Sequence, residues 1–135
     1  FDLMCERANS RVAFGKPLGE HQQIQKFVFD SAAEIQASRL LTLHAAQKID
    51  QGDEARIEIG LIKVFGARML HNVIDRAIQV HGALGVTEDT PLERMYRHAR
   101  FARIYDGADE VHIQNTGRRI LRRYGAGEGF DFGLR

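Results

Sequence analysis

Cysteine, proline and tryptophan are scarce in this chain: one, two and none in 135 residues. A lone Cys5 cannot close a disulfide within the chain. Cysteine used this sparingly suits a reducing compartment, the cytoplasm of a bacterium or the mitochondrial matrix of a eukaryote. No apolar run approaches the roughly 20 residues that span a bilayer. No charged-then-apolar start resembles a signal or transit peptide. An excess of one charge is also missing, since 19 basic side chains face 18 acidic ones for a net +1. No global field therefore draws nucleic acid. Neither the period-two alternation of a strand nor an internal repeat is visible.

What remains is helical in character. Hydrophobic residues make up 44% and charged residues 27%, ordinary for a globular domain, and Ala, Leu, Ile, Arg, Glu and Gln are plentiful. The length allows one domain with a real core. Phe1 to Ala8 reads as helix interior with no cap or turn before it, which suggests a segment of a longer chain. That first helix runs to about Val12 and ends near Gly15-Lys16-Pro17. A second runs from about Glu20 to Gln51, with Ile24, Val28, Ser31, Ile35, Ser38, Thr42, Ala45 and Ile49 in the alternating steps of a bundle seam. The small residues there would let a neighbouring helix approach closely. Asp53 is a candidate N-cap for a third helix reaching about His81, striped by Ile57, Leu61, Val64, Ala67, His71, Ile74, Ile78 and His81. Thr90-Pro91-Leu92-Glu93 has the form of a capping box opening a short fourth helix. A fifth runs from about Asp109 to Tyr124, closed by Gly125. The expected fold is all-α, an antiparallel bundle of two long helices and shorter ones over residues 1–124, with 125–135 a flexible Gly-rich tail.

Few residues are arranged for chemistry. The six histidines include no pair at the helical spacing of metal ligands, and H-E-x-x-H is absent, so no metal site is expected. His71 and His81 lie on the apolar stripe, where a structural, hydrogen-bonded histidine is the commoner case. Cys5, Ser31 and Ser38 lack a histidine one turn away to activate them. Gly125-Ala126-Gly127-Glu128-Gly129 follows a helix rather than a strand and lacks the βαβ setting of a dinucleotide loop.

Three segments remain: Arg11 to Gly15 with Glu20-His21-Gln22, then Gln79 to Ala83, then Tyr105-Asp106-Gly107. Each has a purely structural reading. Arg11 could offset a helix dipole, Gln79 to Ala83 could be a helix ending in glycine, and Asp106-Gly107 could be an ordinary turn. Their combination in order is more telling. Arg11-Val12-Ala13-Phe14-Gly15-Lys16-Pro17-Leu18 with Gln22 resembles the R-x-x-F-G-x-x-L-x-x-x-Q segment of acyl-CoA dehydrogenases. Gln79-Val80-His81-Gly82-Ala83-Leu84-Gly85 resembles their Q-x-x-G-G-x-G segment. Met95 to Arg100 and Ile104-Tyr105-Asp106-Gly107 resemble the R-D-x-[KR] helix and the Y-E-G catalytic turn.

The resemblance, over about residues 1–124, implies the C-terminal helical domain of a flavoprotein of fatty acid metabolism. FAD would lie between subunits of a homodimer or homotetramer. Arg11 matches the arginine that reaches the FAD pyrophosphate, Phe14 and Gln22 match cofactor contacts, and Gln79, Gly82 and Ala83 match the adenosine end. Asp106 matches the glutamate that removes the substrate α-proton, as in a subgroup with Asp there, and Gly107 matches a substrate-contacting glycine. Ala108-Asp109-Glu110 stands where the family has T-S-[QE] against FAD. An acyl-CoA substrate and an electron-transfer acceptor protein follow as partners. The family's N-terminal helical and middle β-domains are absent from this sequence, so the domain alone is expected to be inactive. A nitroalkane-oxidase-like flavoprotein and a non-catalytic helical oligomerisation module are the alternatives.

Overall fold

The computed structural model describes residues 1–133. Among them it forms five α-helices: α1 (Asp2–Ser10), α2 (Gln22–Asp50), α3 (Arg56–His81), α4 (Leu92–Phe101) and α5 (Asp109–Gly125). Short 3-10 turns at Leu18–Glu20 and Gly82–Val86 lead into α2 and out of α3. The all-α bundle expected from the sequence is therefore the architecture found, with α3 at its centre and every other helix packed on it.

The polar ties give the helix directions. Lys48 of α2 bonds Glu58 of α3 at 2.6 Å, while at the other end Arg76 of α3 bonds Glu34 of α2 at 2.7 and 3.1 Å. Residue numbers that fall along one helix as they rise along the other mean antiparallel packing. Arg68 meets Asp109, and Gly60 faces Thr116, so α3 and α5 also run antiparallel.

Small residues let these helices approach. Ser31, Ser38 and Ala45 are the buried residues of α2, and Ser38 Oγ lies 3.4 Å from where a Cβ on Gly66 would sit. The expected seam is buried at these small positions, half-buried at Ile24, Val28 and Ile35, and gives out at Thr42 and Ile49, which are exposed. The larger apolar core joins α1 to α3: Met4, Ala8, Ala77, Val80 and Leu92, with Leu18, Ile24, Phe27, Val28 and Ile78 against it. Met4 is fully buried, and truncating such a side chain costs about 2–5 kcal/mol.

Local departures from the sequence reading have identifiable causes. α1 stops at Ser10 because the chain turns into a hairpin, Val12–Ala13 pairing with Lys16–Pro17. Phe14 (φ 53°) and Gly15 (φ 81°) are its two turn residues, the left-handed pair that matches strand twist in tight hairpins. Two residues per strand are too few to show alternation. Asp53 does not cap α3. Its carboxylate accepts the Ala55 N–H at 2.9 Å, a local turn, and Ala55 itself occupies the N-cap at φ 47°. The Thr90 hydroxyl turns back toward the Leu84 carbonyl, and Glu93 pairs with Arg97, so the capping box does not form. Of the expected tail, Gly125 ends α5 and Gly133 comes against the His44 ring of α2. Residues 134–135 lie outside the described residues.

Candidate functional site

The sequence-identified residues fall into two surface regions. The first is a groove of about 430 Å³ where α1 ends beside the C-terminus of α3, lined by Arg7, Arg11, Leu18, Gln79, Gly82 and Ala83 among others. Arg11 is extended, accepts the Leu18 N–H on its carbonyl at 2.8 Å, and is exposed, with no ion pair among the described residues. Gln79 and Ala83 are exposed as well. Gly82 turns the chain at φ 63°, and no atom lies within 4 Å of where its Cβ would be, so the groove floor is open above it. In the groove wall the Arg7 Nε is buried without a hydrogen-bond partner among the described residues.

The hairpin stands beside this groove. Phe14 at its tip is 96% exposed and left-handed. A bulky residue in that region is strained by about 1–2 kcal/mol, and here the strain holds an apolar ring out in solvent. His21 braces the turn, its Nε2 donating to the Ala13 carbonyl at 3.2 Å and its ring edge-on to Phe14. Gln22 is the exposed first residue of α2.

The second region is the turn between α4 and α5; none of its residues lines the groove. Asp106 (φ 52°) and Gly107 (φ 96°) are consecutive left-handed residues, both exposed. The turn is tied down on every side. Lys63 of α3 donates to the Ala102 carbonyl at 2.7 Å and lies 5.9 Å from the Tyr105 ring centre, a cation–π contact. The Asp109 N–H donates to the Arg103 carbonyl at 3.1 Å across the turn. His112, one turn into α5, has its Nε2 3.0 Å from the Asp106 carbonyl. A Cβ on Gly107 would lie 2.8 Å from that same nitrogen. Glycine is thus required at 107 by backbone conformation and by the closeness of the imidazole.

The three residues after Gly107 have distinct places. Ala108 is the N-cap of α5, and Glu110 is exposed on its first turn. Asp109 points inward, 1% exposed, with Oδ2 accepting from Arg68 Nε at 3.2 Å and Arg103 Nε at 3.1 Å. Burial pushes its carboxyl up, but the hydrogen bonds and charges of Arg103 and Arg68 outweigh that and hold it below the usual carboxylate range. Its side chain is committed to the frame beneath the turn, which the sequence reading had placed against the cofactor.

His112 and Lys63 were not singled out from the sequence. A signal for His112 exists: Asp109, His112 and Thr116 share one helical face at three- and four-residue spacing. Both Asp109 and Thr116 are buried. Among the described residues, no three His, Cys, Asp or Glu side chains converge as metal ligands. His71 meets the Tyr96 ring edge-on, and His81 Nδ1 lies 2.8 Å from the Ala77 carbonyl. No helix among the described residues is long and apolar enough to cross a membrane.

Comparison with known proteins matches residues 1–121 to the family described as "Acyl-CoA dehydrogenase, C-terminal domain". The chain is 49% identical over 123 residues to a probable acyl-CoA dehydrogenase of Mycobacterium tuberculosis, covering 90% of this chain and 30% of that protein. It is 47% identical over 122 residues to acyl-CoA dehydrogenase family member 11 of Rattus norvegicus, covering 89% of this chain and 16% of that one. It superimposes on butyryl-CoA dehydrogenase of Megasphaera elsdenii with a TM-score of 0.86 at 32% identity, over 90% of this chain and 32% of that one. The chain thus spans less than a third of the length of each.

Proposed function

The chain belongs to the acyl-CoA dehydrogenase family through its C-terminal domain, and from that membership we propose that it contributes the base and part of the FAD site to an enzyme oxidising an acyl-CoA thioester between Cα and Cβ. The observation that carries the proposal is the Asp106 turn: an exposed carboxylate on a left-handed pair of residues, fixed to α3 and α5. A general base has to be held within hydrogen-bond reach of the proton it removes, and a turn so anchored meets that demand.

The groove fits FAD in its chemistry. Arg11, which has no ion pair among the described residues, offers its charge to a pyrophosphate. Gln79 and the open backbone at Gly82 and Ala83 offer polar groups and close approach to the adenosine end. Phe14 and Gln22 reach outward from the hairpin and the start of α2, as residues do that serve a site completed by a second copy of the chain. Ala108 and Glu110 start α5, where backbone N–H groups face a polar ligand atom. The chemistry supplied by bound FAD is acceptance of the substrate's β-hydride. Asp106 takes the α-proton on its carboxylate, with the Gly107 backbone beside the thioester.

Two electrons leave the substrate per turnover, which calls for an electron-transfer partner protein. Large apolar side chains exposed on α2 and α5, among them Phe29, Leu40, Leu43, Ile113 and Leu121, favour burial against a second copy or the enzyme's other domains. The complete protein should be yellow with bound flavin, and an acyl-CoA should bleach it under anaerobic conditions. Bleaching by nitroalkanes and not by any acyl-CoA would assign the Asp106 base to the other chemistry of this fold. A complete protein that binds no flavin would leave only a helical assembly module.

A further inference from the structure

Asp106 (φ 52°) and Gly107 (φ 96°) are consecutive left-handed residues. An aspartate–glycine pair adopts this conformation readily, and the direction of the Asp106 carboxylate then depends on what holds the turn in place. Lys63 and Arg68 reach residues on either side, Ala102 and Asp109. Among the described residues, only His112 reaches the turn pair itself with a side-chain hydrogen bond, to the Asp106 carbonyl. A carbonyl oxygen can only accept, so the 3.0 Å contact to Asp106 fixes the proton on His112 Nε2. The same ring lies over Gly107, where it would collide with any Cβ. The imidazole is half-buried beside Gly60, Asn115 and Thr116, on a helix whose first residue, Asp109, is locked by Arg68 and Arg103.

We propose that His112 is a positioning residue for Asp106, holding the Asp106 carbonyl so that its carboxylate keeps one direction at the substrate. This rests on the base assignment above. His112 meets neither substrate nor cofactor in this role; it acts through the Asp106 backbone.

The test uses the complete flavin-loaded protein with His112→Ala and His112→Gln, each alone and combined with Asp106→Asn. Glutamine keeps a side-chain N–H of similar reach. His112→Ala should slow flavin reduction by saturating acyl-CoA at least about tenfold, since small displacements of a reacting group are costly. Acyl-CoA affinity should stay within about twofold, the pattern of an interaction that matters after binding. His112→Gln should recover most of the rate. In the Asp106→Asn background, His112→Ala should add almost nothing, because the two act as one unit. Additive losses, equal losses in the Ala and Gln variants, or a parental rate in His112→Ala would each overturn the proposal. Amide exchange separates this failure from failure of the base assignment. The Asp109 N–H, bonded to the Arg103 carbonyl across the turn, should exchange faster in His112→Ala whatever the substrate is. If it does not, His112 does not hold the turn.

Discussion

Asp109 Oδ2 lies 3.2 Å from Arg68 Nε, tying the first residue of α5 to the middle of α3 just past Asp106. A surface turn thereby rests on a buried, charge-assisted frame that also takes in Arg103.

Asp109→Asn removes the charge and keeps the volume. Breaking a fully buried ion pair costs about 3–5 kcal/mol; Arg68 is half exposed, so a loss on the order of 2 kcal/mol is expected here. The folded Asp109 carboxyl lies below its ordinary value. Its contribution is therefore complete above the unfolded value, about 4, and is lost as pH falls through the folded one. Denaturant melts of parent and variant at pH 7 should differ by that amount and converge in acid. Parallel curves across the whole range would mean that Asp109 is not the titrating partner.

Gly60→Ala reverses a general rule. In a helix interior this change usually stabilises by about 1 kcal/mol. Here the new Cβ would collide with Thr116 Oγ1, so destabilisation of about 1–3 kcal/mol is expected. Thr116→Ala in the same chain should return part of it. A raised Tm in the single variant would show that α5 does not press on α3 at this point.

Phe14→Ala and Arg11→Ala should leave the thermal stability of the flavin-free protein nearly unchanged, since both residues are exposed. Flavin retention on gel filtration should fall in both. Loss of stability without loss of flavin would make them structural and remove the groove from the cofactor site.

The helical architecture was legible because α2 and α3 are long enough for their periodicity to stand out. The candidate residues were legible as spaced motifs, and the groove gathers Arg11, Gln79, Gly82 and Ala83 on one surface. Helix starts were less legible. Asp53 and Thr90 have capping side chains, yet tertiary contacts gave the first to a local turn and the second to the Leu84 carbonyl. The hairpin at Phe14 escaped because it depends on two backbone angles, and the roles of Asp109 and His112 because they depend on which face of α5 meets α3. Val111 and Ile113 are exposed while Asp109 and Thr116 are buried, the reverse of what hydrophobicity alone suggests.

In the proposed function Asp106 is the base. Anaerobic stopped-flow of the complete protein, following the flavin band after mixing with acyl-CoA, tests it in Asp106→Asn, which keeps size and loses the base. Flavin and acyl-CoA should still bind, and reduction should slow at least about a hundredfold. An Asp106→Asn flavin that bleaches as fast as the parent's would contradict the account and place the base on another residue.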